Sequence, residues 1–270
     1  MAGMNFSVLL AASLPLVAPL FAGVRSGHAA AELVSGVSTY QAGKPFAVAI
    51  RLTIDPGWHS YWINPGVGGM PLKANWTLPD GWQAGELRHP VPKRFTTGEL
   101  PGFGYEGEVL FLVDLTPPAG ATGAAECKVE LAWLTCDENA CVPGEAELAV
   151  EIPAGDGAAG TAAALLAEAG KLIPVPLEGL ELEVAEKDGK WVGLVLHAPA
   201  GFDPTGCSVF PATPDVIDAA AEPGFVKNQD VWTAVARKNE YADGPATRLD
   251  LVLAGGKLSQ ALVVSWRSAK

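Results

Sequence analysis

The sequence predicts an all-β protein: an antiparallel β-sandwich, a linker with a short helix, and a second small β-sandwich unit. Three observations carry this expectation. Apolar and polar residues alternate over short stretches, which is the period of half-buried strands. Glycine (31 residues) and proline (22 residues) punctuate those stretches as turn signals. An Ala/Gly-rich run from Pro153 to Gly170 separates two strand-rich halves. With 270 residues, 49% of them hydrophobic and 18% charged, the chain can bury a sizeable core and lacks the composition of a disordered one.

The strands follow in order. Phe46, Val48, Ile50, Leu52 and Ile54 occupy every second position and end at the turn Asp55-Pro56-Gly57. His59–Trp62, Lys73–Leu78, Gly85–His89 and Val109–Leu115 are further strand-like runs. Lys128–Thr135 and Glu145–Ile152 are amphipathic strands on either side of a short loop. Leu165, Leu166 and Ala169 fall at helical spacing and predict a helix over Thr161–Ala169. Strands resume at Leu180–Glu186, Trp191–Ala198, Val231–Ala236, Arg248–Ala254 and Leu258–Trp266, with Asp188-Gly189 and Gly255-Gly256 as hairpin signals. The expected units are residues 32–152 and 179–270, joined by a linker over 153–178.

The N-terminus reads as an export signal over residues 1–31. Val8 to Val24 is almost wholly apolar, and Ala29-Ala30-Ala31 supplies small residues for a cut near Ala30 or Ala31. Pro15 and Pro19 argue against a permanent membrane helix; the alternative is an uncleaved anchor. The mature chain is expected to be soluble and outside the cytoplasm. Its net charge of −12 repels phosphate backbones, which excludes nucleic acid as a partner.

Export makes the four cysteines informative, because thiols oxidise outside the cytosol. Cys136 and Cys141 stand at the two ends of the loop between the amphipathic strands, where a disulfide can close without large movement. Such a bond closes a small ring and removes little unfolded-chain entropy, yet lies within reach of an attacking thiolate. Spacing alone does not choose between a structural staple and an exchanging pair. Asp137 and Glu138 lie inside the loop, with no Lys, Arg or His, so the thiols should not be strongly activated.

At this loop the sequence resembles a known family. Trp133-Leu-Thr-Cys136 and Cys141-Val-Pro143-Gly144-Glu145 resemble the amino-terminal periplasmic domain of DsbD-type thiol:disulfide interchange proteins, in the branch of the copper-sensitivity suppressor ScsB. Upstream, His59-Ser-Tyr61-Trp62-Ile-Asn64-Pro65-Gly66, Gly69-Met-Pro71, Trp76-Thr-Leu-Pro79-Asp-Gly81, Pro92-Lys-Arg94-Phe95 and Gly104-Tyr105-Glu106-Gly107 are similar to that branch. Downstream, so are Phe210-Pro211 and Pro214-Asp-Val-Ile217-Asp218. The resemblance implies an immunoglobulin-like sandwich and a periplasmic location. It implies that Cys136 and Cys141 cycle between dithiol and disulfide, with Cys141 making the bond to the partner. It also implies a cap loop, with Phe103 and Tyr105 in its place. The partners would be a membrane-embedded thiol electron carrier, here on a separate chain, and periplasmic thioredoxin-like or disulfide isomerase proteins.

Cys127 and Cys207 fall outside that motif; they either bridge the two halves as a structural disulfide or remain buried thiols. No zinc site is expected, because no second Cys or His pair completes a tetrahedron. Copper(I) on Cys136, Cys141 and Met70 is a further reading. No cofactor motif is present: Gly66-Val-Gly68-Gly69 lacks a following helix and is interrupted by Pro71. His59, His89 and His197 read as surface or hydrogen-bonded residues, and Trp58, Trp62, Trp76 and Trp82 as packing residues rather than a sugar platform.

Overall fold

The structure is a computed structural model in which residues 23–268 are described. In chain order the first unit contains β1 (Val24–Ser26), β2 (Ala29–Ser35), β3 (Phe46–Ile54), β4 (Ser60–Gly66), β5 (Lys73–Thr77), β6 (Gln83–Ala84), β7 (Lys93–Thr97), β8 (Leu100–Tyr105), β9 (Glu108–Thr116), β10 (Ala124–Cys136) and β11 (Cys141–Pro153). Helix α1 (Ala163–Gly170) follows. The second unit holds β12 (Val175–Pro176), β13 (Glu181–Lys187), β14 (Trp191–His197), β15 (Ser208–Pro211), β16 (Val226–Asn228), β17 (Val231–Arg237), β18 (Arg248–Ala254) and β19 (Leu262–Arg267). The expected all-β, immunoglobulin-like sandwich is what the chain forms.

In the first unit, the sheet β1-β2-β3-β9-β6 packs on the sheet β11-β10-β5. Period-2 alternation decides which side chains go inside. On β10, Ala125, Cys127, Val129, Leu131 and Trp133 are buried, while Glu126 and Glu130 between them are exposed. Ile50 and Leu52 of β3 meet Val129, Leu131 and Trp133 in one core. Strands β3 and β9 are buried on successive residues because α1 covers their other face: Leu166 and Ala169 pack on Ala49, Leu110 and Leu112. The Ala/Gly-rich run is therefore docked rather than tethering freely. Its small residues let the backbone approach closely, since a Cβ on Gly155 would meet the Thr39 side chain at 2.6 Å.

The second unit pairs the sheet β12-β19-β18-β15 with the sheet β13-β14-β17-β16. Leu194, Leu196, Leu249, Leu251 and Leu253 are fully buried in its core. The hairpin signal Asp188-Gly189 is realised between β13 and β14, with left-handed φ values of 54° and 63°. The two units share apolar surface: Phe210, Ala219 and Val252 join the core that holds Trp62 and Phe103.

Three expectations need comment. The cut predicted at Ala30 or Ala31 falls inside β2, where Ala29 and Ala31 are fully buried and pair with Ile54 and Leu52; most of the apolar segment lies outside the described residues. The strand predicted over Gly85–His89 does not form: the two-residue β6 precedes that span, and within it only an isolated bridge joins Arg88 to Leu112. The bridge between Cys127 and Cys207 does not form. Both are free thiols, Cys127 in the first sandwich core and Cys207 against the second, and burial pushes the Cys127 thiol up to about 11.

His89 ties stability to pH. Its ring sits edge-on to Phe111, its Nδ1 has no hydrogen-bond partner, and burial brings its pKa down to about 4. Between that value and the ordinary 6.5, the unfolded chain binds a proton that the folded chain does not. Stability is thus full above pH 6.5 and falls as the pH drops towards 4, by about 3 kcal/mol from this group. Urea unfolding across that range should show the fall in the wild type and a flatter profile in His89→Phe.

Candidate functional site

The register of β10 and β11 builds the site. The two strands pair antiparallel without interruption from Ala124–Pro153 to Cys136–Cys141, so the cysteines close the ladder as its last pair. Their Cα atoms are 4.1 Å apart and they are joined by a disulfide. Trp133 explains part of the local sequence. It faces Gly144 across the ladder, and a Cβ there would lie 2.4 Å from the indole. Gly144, inside β11, therefore leaves the space that the buried tryptophan fills.

The tip of the hairpin is stabilised from within. Asp137 accepts hydrogen bonds from the N–H groups of Asn139 (2.8 Å) and Ala140 (2.7 Å). These donors hold its carboxyl below the usual carboxylate range, so it stays ionised beside the disulfide. Thr135 Oγ1 donates to Val142 O (3.1 Å) and accepts from the N–H of His28 (3.2 Å). The turn between β1 and β2 thus leans on the hairpin, and Gly27 (φ 57°) fits there because a Cβ would press on Pro143 O and Thr135 Oγ1. On the same side, the His28 imidazole stacks on Trp58 with ring centres 3.5 Å apart.

The other side is closed by His59. Its backbone exchanges two hydrogen bonds with Cys136, at 2.9 and 3.0 Å. Its buried ring lies 3.0 Å from Thr97 Oγ1 and 3.3 Å from Tyr61 OH through Nε2, and packs on Phe95 at 3.9 Å. Burial lowers the His59 pKa, while Glu106 and Asp137 act in the opposite direction. The consequence is an asymmetry: Cys136 is fully buried and Cys141 is exposed. Of the two cysteines, only Cys141 is exposed to a partner.

Sequence reasoning located the pair but not all of its surroundings. Phe103 and Tyr105 are not over the disulfide. Phe103 is fully buried against Trp62 and Phe210, and Tyr105 is buried with its hydroxyl donating to Pro90 O. The aromatic ring beside the site is Phe95, on the hairpin β7–β8, which the sequence reading did not treat as strands. His59 was legible as part of a motif, but its tie to Cys136 is a long-range backbone pairing with no local signal. Among the described residues there is no group of three His, Cys, Asp or Glu placed to hold a metal ion.

The local charge sets the thiol chemistry. After reduction, ionised Asp137 disfavours a thiolate at Cys141. Asp137→Asn removes the charge yet keeps an acceptor for Asn139 and Ala140. It should lower the Cys141 pKa by up to about one unit without opening the loop. Absorbance titration of the thiolate checks this; the wild-type value should not fall well below that of free cysteine, about 8.5.

Comparison with known proteins bears on this geometry. Residues 30–152 match the family model described as thiol:disulfide interchange protein DsbD, N-terminal. No curated protein matches the chain. The crystal structure of the N-terminal periplasmic domain of ScsB from Proteus mirabilis is similar at 18% identity and TM-score 0.62, covering 88% of this chain and 91% of that one. A conserved domain protein from Bacillus anthracis aligns over 90% of this chain and 87% of its own, at 11% identity and TM-score 0.28. The matched span contains β10, the disulfide and β11 up to Ile152, and the first unit of this chain is a DsbD-type N-terminal domain.

Proposed function

We propose that this protein is an exported thiol:disulfide interchange protein that relays electrons through Cys136 and Cys141. The observation that carries the reading is the asymmetry of the pair: an exposed Cys141 bonded to a sealed Cys136, at the end of a rigid ladder, in a DsbD-type domain. A staple needs no such access, whereas exchange requires one reachable sulfur and one protected resolving sulfur.

In the dithiol form, the Cys141 thiolate attacks one sulfur of a partner disulfide, and the partner's other sulfur leaves as a thiolate. A mixed disulfide joins Cys141 to the partner. The Cys136 thiolate then attacks Cys141 Sγ, which releases the partner as a dithiol and restores the Cys136–Cys141 bond. Two electrons have passed to the partner. One thiolate of a dithiol on a membrane-embedded carrier attacks Cys141 and Cys136 leaves as a thiolate; the carrier's second thiolate then releases Cys141, so the pair returns to the reduced state and the carrier is left as a disulfide. The partners that suit this chemistry are periplasmic thioredoxin-like or disulfide isomerase proteins.

The surroundings of the pair support these roles. His59 covers Cys136, with Phe95 and Thr97 packed on its ring, so Cys136 is shielded from small thiols while Cys141 stays open to a partner. No helix among the described residues is long and apolar enough to cross a membrane, which agrees with an exported domain. Processing that leaves β1 and β2 whole would fall before Val24.

The test is a trapping experiment. Reduced Cys136→Ala should form a mixed disulfide through Cys141 with a thioredoxin-like protein carrying an accessible disulfide, visible as a heavier species on a non-reducing gel. Cys141→Ala should form at most about one-tenth as much, because the remaining thiol is buried. Absence of any adduct with Cys136→Ala would contradict the relay.

A further inference from the structure

The hairpin beside the redox site is held from the second unit. Strand β7 is the edge of the sheet β4-β8-β7, so only β8 supports it through backbone pairing. Side chains on a strand point alternately to opposite faces. On β7, Phe95 and Thr97 share one face and reach His59, as described above. Arg94 lies on the other face, and its guanidinium donates to Val209 O at 2.7 Å and Ala219 O at 2.9 Å, both carbonyls of the second unit. It also lies over the rings of Phe103 (4.9 Å) and Phe210 (5.4 Å), one from each unit. Beside it, buried Asn64 donates its amide to Pro211 O at 2.7 Å, which fixes β4 to the same part of the second unit.

We propose that Arg94 is a positioning residue for the redox pair: the second unit, through Arg94, holds β7 so that Phe95 and Thr97 stay packed on His59, the residue that seals Cys136. The fit on the site side is tight. A Cβ on Gly102 would lie 2.7 Å from the Phe95 ring, and one on Gly104 would lie 2.9 Å from it and 1.8 Å from Ser60 O. Glycine at both positions lets the ring lie flat on β8. Every link from the second unit to the disulfide is thus a direct contact: carbonyls to Arg94, β7 to Phe95 and Thr97, these to His59, and His59 to Cys136 by two backbone hydrogen bonds. The guanidinium suits this role because it makes two donations in a fixed plane while stacking on aromatic rings. The second unit then serves as the backing of a cover rather than as a second catalytic unit. This rests on the interchange reading for its biological use, but not for its measurement.

Arg94→Met keeps an unbranched apolar stem and removes the donors. In the full chain, the Cys136–Cys141 disulfide of this variant should be reduced by dithiothreitol about three- to tenfold faster than in the wild type, within the usual coupling between contacting residues. The His59 ring, which Arg94 does not touch, should titrate closer to its ordinary pKa by NMR, because its cover has loosened. Thr97→Val should accelerate reduction in the same direction, and the double variant should be no faster than the faster single one. Arg94→Lys, with a compact head, should fall between wild type and Arg94→Met. A folded Arg94→Met with wild-type reduction and His59 titration, or rates that multiply in the double variant, would overturn the proposal. If Arg94→Met does not fold, Phe210→Leu loosens the same clamp from the second unit and must accelerate reduction for the proposal to stand. Dithiothreitol reads access to the disulfide, so these results stand whether or not a protein partner can be trapped on Cys141.

Discussion

The register between β10 and β11 is the constraint on which the rest depends. A one-residue slip would turn Trp133 and Leu131 out of the core and move Cys136 away from Cys141 at once. Burial of the alternate residues of β10 therefore fixes the position of the disulfide as firmly as it fixes the fold. Trp133 opposite Gly144 pins that register close to the tip, where fraying would otherwise begin. The redox chemistry sits at the end of a long ladder because that is where a backbone can be both rigid and reachable.

Reachability is then made one-sided. The turn of β1 and β2 leans on Thr135, His59 seals Cys136, and the carboxylate of Asp137 organises the loop while restraining the thiols. Each contact serves packing and chemistry together. Acidic neighbours restrain the thiolate and His59 covers Cys136, which suits a pair that must pass electrons to chosen proteins through Cys141. The second unit shares a core with the first at Phe210 and Val252 and adds hydrogen bonds at Asn64 and Arg94. Its contacts fall on the strands next to the site, not on the distant sheet edge.

Legibility in the sequence followed the range of the interactions. The strands of β3, β10 and β11 were readable because their alternation is local and strong, and the Asp188-Gly189 turn because its backbone needs are local too. Cys136 and Cys141 were readable for the same reason, being ends of one loop. Gly102 and Gly104 erase the alternation that would mark β8 as a strand; the cap on Phe103 and Tyr105 came from the family resemblance alone, while the ring that packs on His59 is Phe95. Cys127 alternates in phase with the core residues of β10, but Cys207 lies just before β15, where no alternation shows which core it packs against. His59, Arg94 and Asn64 act through partners 77, 115 and 147 residues away in the chain respectively, counting from Cys136, Val209 and Pro211.

The central claim is that the Cys136–Cys141 bond exchanges rather than staples. Its reduction potential tests this most directly, measured by equilibrating the full chain with glutathione or dithiothreitol buffers. The account predicts a value above about −300 mV, the region of labile and catalytic disulfides. A value well below that would mark a structural bond and contradict it.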